Sequence, residues 1–87
     1  MARELRTTRV FDRSFQRLLS VIQEQALAKL DLFQSDAAHP SLRVKRVKGT
    51  DRVWEMTVTM NYRITFEVVG DVVLLRRIGT HDIVRNP

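Results

Sequence analysis

The chain has 87 residues, with 15 Lys and Arg against 10 Asp and Glu and a formal net charge of +5. That length predicts one small domain, 1–87, with a thin core, and the absence of cysteine excludes disulfide staples and thiolate metal sites. No apolar run approaches the roughly 18 residues of a membrane span, and the opening MARELRTTRV lacks the apolar segment of a signal peptide. A cytoplasmic protein with a polyanion or an acidic protein as partner is expected.

Glu4 to Thr7 reads as a short first strand. Thr8 can cap a helix by accepting a hydrogen bond from a first-turn amide. Behind it Phe11, Phe15, Leu18 and Leu19 fall at helical spacing, with Arg9, Arg13, Gln16 and Arg17 on the other side. Ser20 and Gln23 form a Ser-x-x-Gln capping box that predicts a second helix. Its stripe is Ile22, Ala26, Leu27, Leu30 and Phe33, and it ends near Ser35-Asp36. Two helices joined this closely run antiparallel, and their shared stripe needs a cover. Pro40 disfavours a helical residue at His39, so sheet is expected from Leu42 onward.

The stretch from Leu42 to Arg85 reads as four short strands and carries nine of the 15 cations. Turn chemistry lies at Lys48-Gly49-Thr50-Asp51 and at Gly70-Asp71. Trp54, Met56, Val58 and Met60 alternate with Glu55, Thr57 and Thr59; Tyr62, Ile64, Phe66 and Val68 alternate with Arg63, Thr65 and Glu67. Such alternation predicts an antiparallel sheet with its even positions against the helices and its odd positions toward solvent. The expected class is α+β, an N-terminal strand and a helical hairpin packed on a twisted antiparallel sheet.

Three features carry possible chemistry. Arg43, Lys45, Arg46 and Lys48 lie within six residues; they suit phosphate contacts and equally suit an edge strand guarded by its charges. Val47 breaks the alternation there, which predicts a bulge or strand end near Arg46. Arg63 sits mid-strand on the polar face, where a guanidinium can grip a phosphate through two parallel hydrogen bonds or pair across strands with Glu55 or Glu67. His81, after Gly79-Thr80 at the end of the last strand, can move a proton near neutral pH, with Arg77 on its parity, Leu75 also if the strand is regular, and Asp82 beside it. A lone histidine in such a place can also be incidental. His39 and His81 lack the companion ligands of a metal site. No Gly-rich phosphate loop, nucleophile triad or isolated carboxylate pair is present, so nucleotide hydrolysis, acyl transfer and glycoside chemistry find no support.

Together the block HPSLRVKRVKG, the segments VWEMTV and NYRITFEVV, and the terminal LLRRIGTHDI resemble the RelE/ParE superfamily of type II toxin–antitoxin toxins, with the preceding strand and hairpin in that family's order. The resemblance implies a microbial RNase-like fold and a cognate antitoxin that wraps the toxin. For the RelE and YafQ branch it implies binding to the ribosomal A site and cleavage of mRNA there, without metal or small-molecule cofactor. There the RNA 2′-hydroxyl attacks the adjacent phosphate. On that resemblance Arg63 corresponds to the strand arginine that holds the scissile phosphate, and His81 to the C-terminal catalytic histidine of YafQ-like members. Lys45, Arg46 and Lys48, with Arg43 and Arg77 beside them, correspond to RNA-contacting cations. The terminal tyrosine of many RelE-like nucleases is replaced here by the run Ile83-Val84-Arg85, and Lys45, Thr57 and Asn61 stand where YafQ-like enzymes carry further histidines and an aspartate. The alternatives are a ParE-like gyrase inhibitor, a degenerate module that only binds antitoxin, and a basic RNA-binding accessory protein.

Overall fold

Because its side chains are few and its core thin, the chain builds its interior from one sheet face and one helical hairpin. The computed structural model describes residues 3–87. Strand β1 (Glu4–Thr7) leads to helix α1 (Arg9–Gln16) and helix α2 (Ser20–Ser35), followed by β2 (Lys45–Arg46), β3 (Trp54–Thr57), β4 (Tyr62–Val69) and β5 (Val72–Thr80). Two 3-10 turns, Pro40–Leu42 and His81–Arg85, complete the order. The strands form one sheet in the order β1-β5-β4-β3-β2.

The sheet is mixed, not wholly antiparallel. β1 runs parallel to β5, with Glu4 opposite Val72 and Thr7 opposite Leu75. Local alternation reports which side chains face inward but not the direction of a partner some 68 residues away. β4 and β5 are joined by the two-residue Gly70-Asp71 turn, where Gly70 holds φ 60°, the left-handed backbone a type II′ turn takes at its first central position.

α1 starts as its sequence predicts. The Thr8 hydroxyl accepts from the Phe11 amide at 3.1 Å and donates to the Leu75 and Arg76 carbonyls at 3.0 Å each, so the cap also ties the helix to β5. The Ser20–Gln23 capping box does not form. Ser20 is already helical, Leu19 occupies the cap without a side-chain bond, and Gln23 Nε2 donates instead to the Phe15 carbonyl at 2.7 Å. The Phe15 carbonyl, which also accepts from the Leu18 amide at 3.1 Å, takes this second donor at its other lone pair, so the Gln23 amide ties α2 to the end of α1.

The core joins Phe11, Ala26, Leu30 and Phe33 of the hairpin to Met56, Ile64, Phe66, Val73, Leu75 and Ile78 of the sheet. Phe33 meets Phe66 edge-on with ring centroids 5.1 Å apart. Even parity holds at the sheet's centre and fails at its margins. Trp54 is 36% exposed, Val68 37% and Met60 87%: Trp54 and Val68 line an open cavity beside Phe33 and Ala37 that nothing fills, and Met60 belongs to the β3–β4 turn. Leu27, placed on the α2 stripe by spacing, is exposed as well.

On the other face the departure is reversed. Glu55 is only 8% exposed and Thr65 0%, although both hold the odd positions assigned to solvent. The cause is the C-terminal segment, which turns back over this outer face. Thr65 Oγ1 and Arg76 Nε both donate to the Pro87 oxygen at 3.2 Å, and Arg77 Nη1 donates to the Asn86 carbonyl at 3.0 Å.

Candidate functional site

The outer face of β2 to β5, with the His81–Arg85 turn laid over it, gathers most of the residues that the sequence singles out. Lys45 stands opposite Glu55 and Arg46 opposite Trp54 in the β2–β3 pairing. β2 stops at Arg46, as the broken alternation at Val47 predicts, and Val47 is buried. Arg43 is not part of that strand. It closes the Pro40–Leu42 turn in the left-handed conformation, φ 47°, so it shares no parity with Lys45. Lys45, Arg46, Lys48, Glu55 and Val84 line a groove of about 360 Å³ between the sheet edge and the C-terminal turn. The basic cluster and the end of the chain thus meet across a shared opening.

Arg63 stands opposite Gly79 on β5 and Thr57 on β3. Its Nη1 donates to three carbonyls of the β3–β4 turn, those of Thr59 at 2.7 Å, Met60 at 3.0 Å and Tyr62 at 3.0 Å. Its Nε lies 3.9 Å from Glu55 Oε1, and both side chains are largely buried, at 19% and 10% exposure. The guanidinium is therefore first a clasp for the turn and a counter-charge for Glu55. Its Nη2 makes no hydrogen bond among the described residues.

His81 opens the C-terminal turn just past β5, and its amide donates to the Asn61 carbonyl at 3.1 Å. Since Tyr62 pairs with Thr80, that bond places the exposed residue His81 at the end of the β4–β5 pair, two residues past Gly79, the strand partner of Arg63. The close approach depends on Gly79: a Cβ there would lie 2.9 Å from Ile83 Cγ2, so a larger residue would push the turn off the sheet.

Arg77 is not on a regular strand. The β4–β5 register shifts between Thr65 and Phe66, where Thr65 pairs with Arg77 and Phe66 with Leu75, leaving Arg76 as the extra residue. This bulge sends Leu75 inward and both arginines outward, so Leu75 and Arg77 do not share a face. Arg76 Nη1 pairs with Glu67 Oε2 at 2.6 Å.

The structure thus brings Lys45, Arg46 and Lys48 to one groove with Glu55, to which Arg63 pairs; it sets His81 at the end of the β4–β5 pair and Arg77 further along β5, and leaves Arg43 outside the groove. The Arg63–Glu55 pairing is as the sequence allowed; sequence reasoning missed one role and one participant. Glu55 was read as an ion-pair partner and is also a groove wall; Arg76 was not singled out. The signal for Arg76 was present, since the apolar phase of Val73 and Leu75 slips by one at Ile78. Among the described residues no group of three or more His, Cys, Asp or Glu could hold a metal ion, and no helix is long and apolar enough to cross a membrane.

No protein-family model matches the sequence, and no curated protein matches it. The fold, by contrast, is shared with solved toxins. A chain of the RelB–RelE antitoxin–toxin complex from Methanococcus jannaschii superposes with a TM-score of 0.72 at 20% identity, covering 92% of this chain and 94% of that one. A chain of the E. coli DinJ–YafQ toxin–antitoxin complex gives 0.77 at 9% identity, covering 94% and 96%. The E. coli toxin RelE, as a variant in the free state, gives 0.76 at 20% identity, covering 99% and 93%. The protein has the α+β fold of the RelE and YafQ toxins, as the resemblance in its sequence implied.

Proposed function

We propose that this protein is the toxin of a toxin–antitoxin pair and that it cleaves mRNA on the ribosome. The observation that carries the reading is the likeness of nearly the whole chain to RelE and YafQ toxins, joined to the position of His81 and Arg63 at one end of the β4–β5 pair. In the reaction the RNA 2′-hydroxyl loses its proton and attacks the adjacent phosphorus. The bond to the 5′-oxygen breaks, and that oxygen takes up a proton. His81 is the group in this cluster suited to move a proton at neutral pH. Arg63 stabilises the charge that develops on the phosphate, through the Nη2 edge left open by the turn carbonyls. Lys45, Arg46 and Lys48, with Arg77 and the more distant Arg43, hold the RNA backbone, contributing affinity that falls with salt.

A cognate antitoxin is the expected partner, because relatives of this fold are solved as complexes with theirs. The test is induced expression of the chain alone in a bacterial host, with growth and message integrity followed by primer extension. Growth arrest with cuts inside translated messages, absent for His81→Ala, is the expected result. The His81 side chain makes no hydrogen bond among the described residues, so this variant should fold. Arrest with intact messages would overturn the nuclease reading in favour of a gyrase-directed toxin. No arrest from a folded protein would reduce it to an antitoxin-binding module or an RNA-binding accessory.

A further inference from the structure

The inner face of the sheet carries an opening at the end of the hairpin. Beside the last turn of α2 lies a cavity of about 310 Å³ walled by Phe33, Ala37, Val44, Trp54, Phe66 and Val68, with Arg3 the one charged residue on its lining. A second cavity, of about 540 Å³, shares Arg3, Phe33 and Ala37 with the first and continues over Gln34 to Ala38. Together they form one cleft from the end of α2 to β3. Gln34 Nε2 donates to the Arg3 carbonyl at 2.9 Å, which fixes the chain ahead of β1 along one wall.

We propose that this cleft is the docking site for an acidic, amphipathic segment of a partner protein, whose apolar side chains enter beside Trp54. Trp54 and Val68 keep 36% and 37% of their surface exposed, although Phe33 and Phe66 at the same cavity belong to the core. An open apolar recess on an otherwise charged domain marks an interaction surface, and Trp beside Arg is the composition of interface centres. The charge around it selects the partner. Arg3 lines the recess, and Arg46 stands opposite Trp54 in the β2–β3 pairing, so it projects from the same face of the sheet. Neither arginine is in an ion pair among the described residues. Asp36, at the α2 end, is the one carboxylate lining the cleft.

Carboxylates flanking apolar anchors match this arrangement. A nucleic-acid base would instead leave its polar edges unpaired among Ala37, Val44 and Val68. The groove of Lys45 and Glu55 opens on the other face of β2 and β3, with Arg46 bordering both. Under the proposed function the segment belongs to the antitoxin; the chemistry of the cleft itself does not depend on RNA cleavage.

Trp54 is the only tryptophan of the chain, so its fluorescence reports the cleft directly. The experiment selects a phage-displayed library of random dodecapeptides on the full chain, with excess oligouridylate present to occupy RNA-binding cations. Synthetic copies of the enriched peptides are then titrated against Trp54 emission. Enrichment of sequences that combine apolar and acidic residues is expected, with a saturable blue shift as the indole leaves water. Replacing their acids by lysine should abolish binding. Arg46→Glu should weaken it about tenfold, through loss of one exposed ion pair and gain of a like-charge contact. Failure to enrich any peptide, peptides that bind without moving Trp54 emission, or equal binding to a folded Arg46→Glu variant would overturn the proposal. So would a blue shift produced by oligouridylate alone, which would give the cleft to RNA. The unaltered protein decides the matter even if a variant fails to fold. Growth arrest by a chain that ignores such peptides would remove the docking site and leave the proposed function standing.

Discussion

Replacing Arg63 by alanine should unfold the protein more readily as well as alter any activity. The Nη1 of Arg63 donates to the carbonyls of Thr59, Met60 and Tyr62 within 3.0 Å. Bonds from a charged donor contribute about 1.5–3 kcal/mol net, and three shared by one nitrogen count as little more than one such bond. The variant also leaves Glu55, only 10% exposed in its side chain, without the guanidinium 3.9 Å away. A largely buried carboxylate stripped of its partner adds to the cost. The sum is about 2–3 kcal/mol, a large part of the ~5–15 kcal/mol that holds a small domain together. For a domain of this size that corresponds to a melting temperature lower by roughly 10–20 °C. Urea denaturation of the purified protein, followed by circular dichroism, measures it. Arg63→Lys keeps the charge but reaches fewer of the three carbonyls, and should recover less than half the loss. A cost under about 0.5 kcal/mol for Arg63→Ala would refute the clasp and return this residue to the role of a free phosphate ligand.

Three further outcomes follow from the packing. Phe66→Ala removes a ring that is 2% exposed and packed edge-on against Phe33, and should cost about 3–5 kcal/mol. Trp54→Ala, at a site 36% exposed, should cost well under that, near ~2 kcal/mol; chemical denaturation that ranked them the other way would show the tryptophan buried after all. Gly79→Ala places a methyl 2.9 Å from Ile83 Cγ2 and should cost about 1–3 kcal/mol as overpacking. Adding Ile83→Ala should return most of that loss, and a strictly additive double variant would mean that the C-terminal turn does not rest on Gly79.

Much of the fold was legible because it is written at short range. Thr8 announces α1, Gly70 fixes the last hairpin, and the alternation from Trp54 to Val68 separates the sheet's faces wherever both are covered from above. Val47 marked the end of β2 through the same rule. The Ser20–Gln23 pair misled because a capping box weighs only the nearest amides, whereas Gln23 found a carbonyl of the previous helix. Trp54 misled because alternation says which way a side chain points and not how completely the layer above it is filled.

The candidate residues divide along the same line. Sequence alone determined that cations crowd the strands, that His81 follows a glycine at the end of β5, and that the apolar phase slips between Leu75 and Ile78. Only the tertiary structure decided that Arg63 is held by its own turn, that Glu55 lines the groove with Lys45, and that Asn86-Pro87 cover the face the pattern assigned to solvent. Periodicity is a property of one strand and its two faces. Occupancy of a face depends on segments brought back from elsewhere in the chain, and no local pattern records their return.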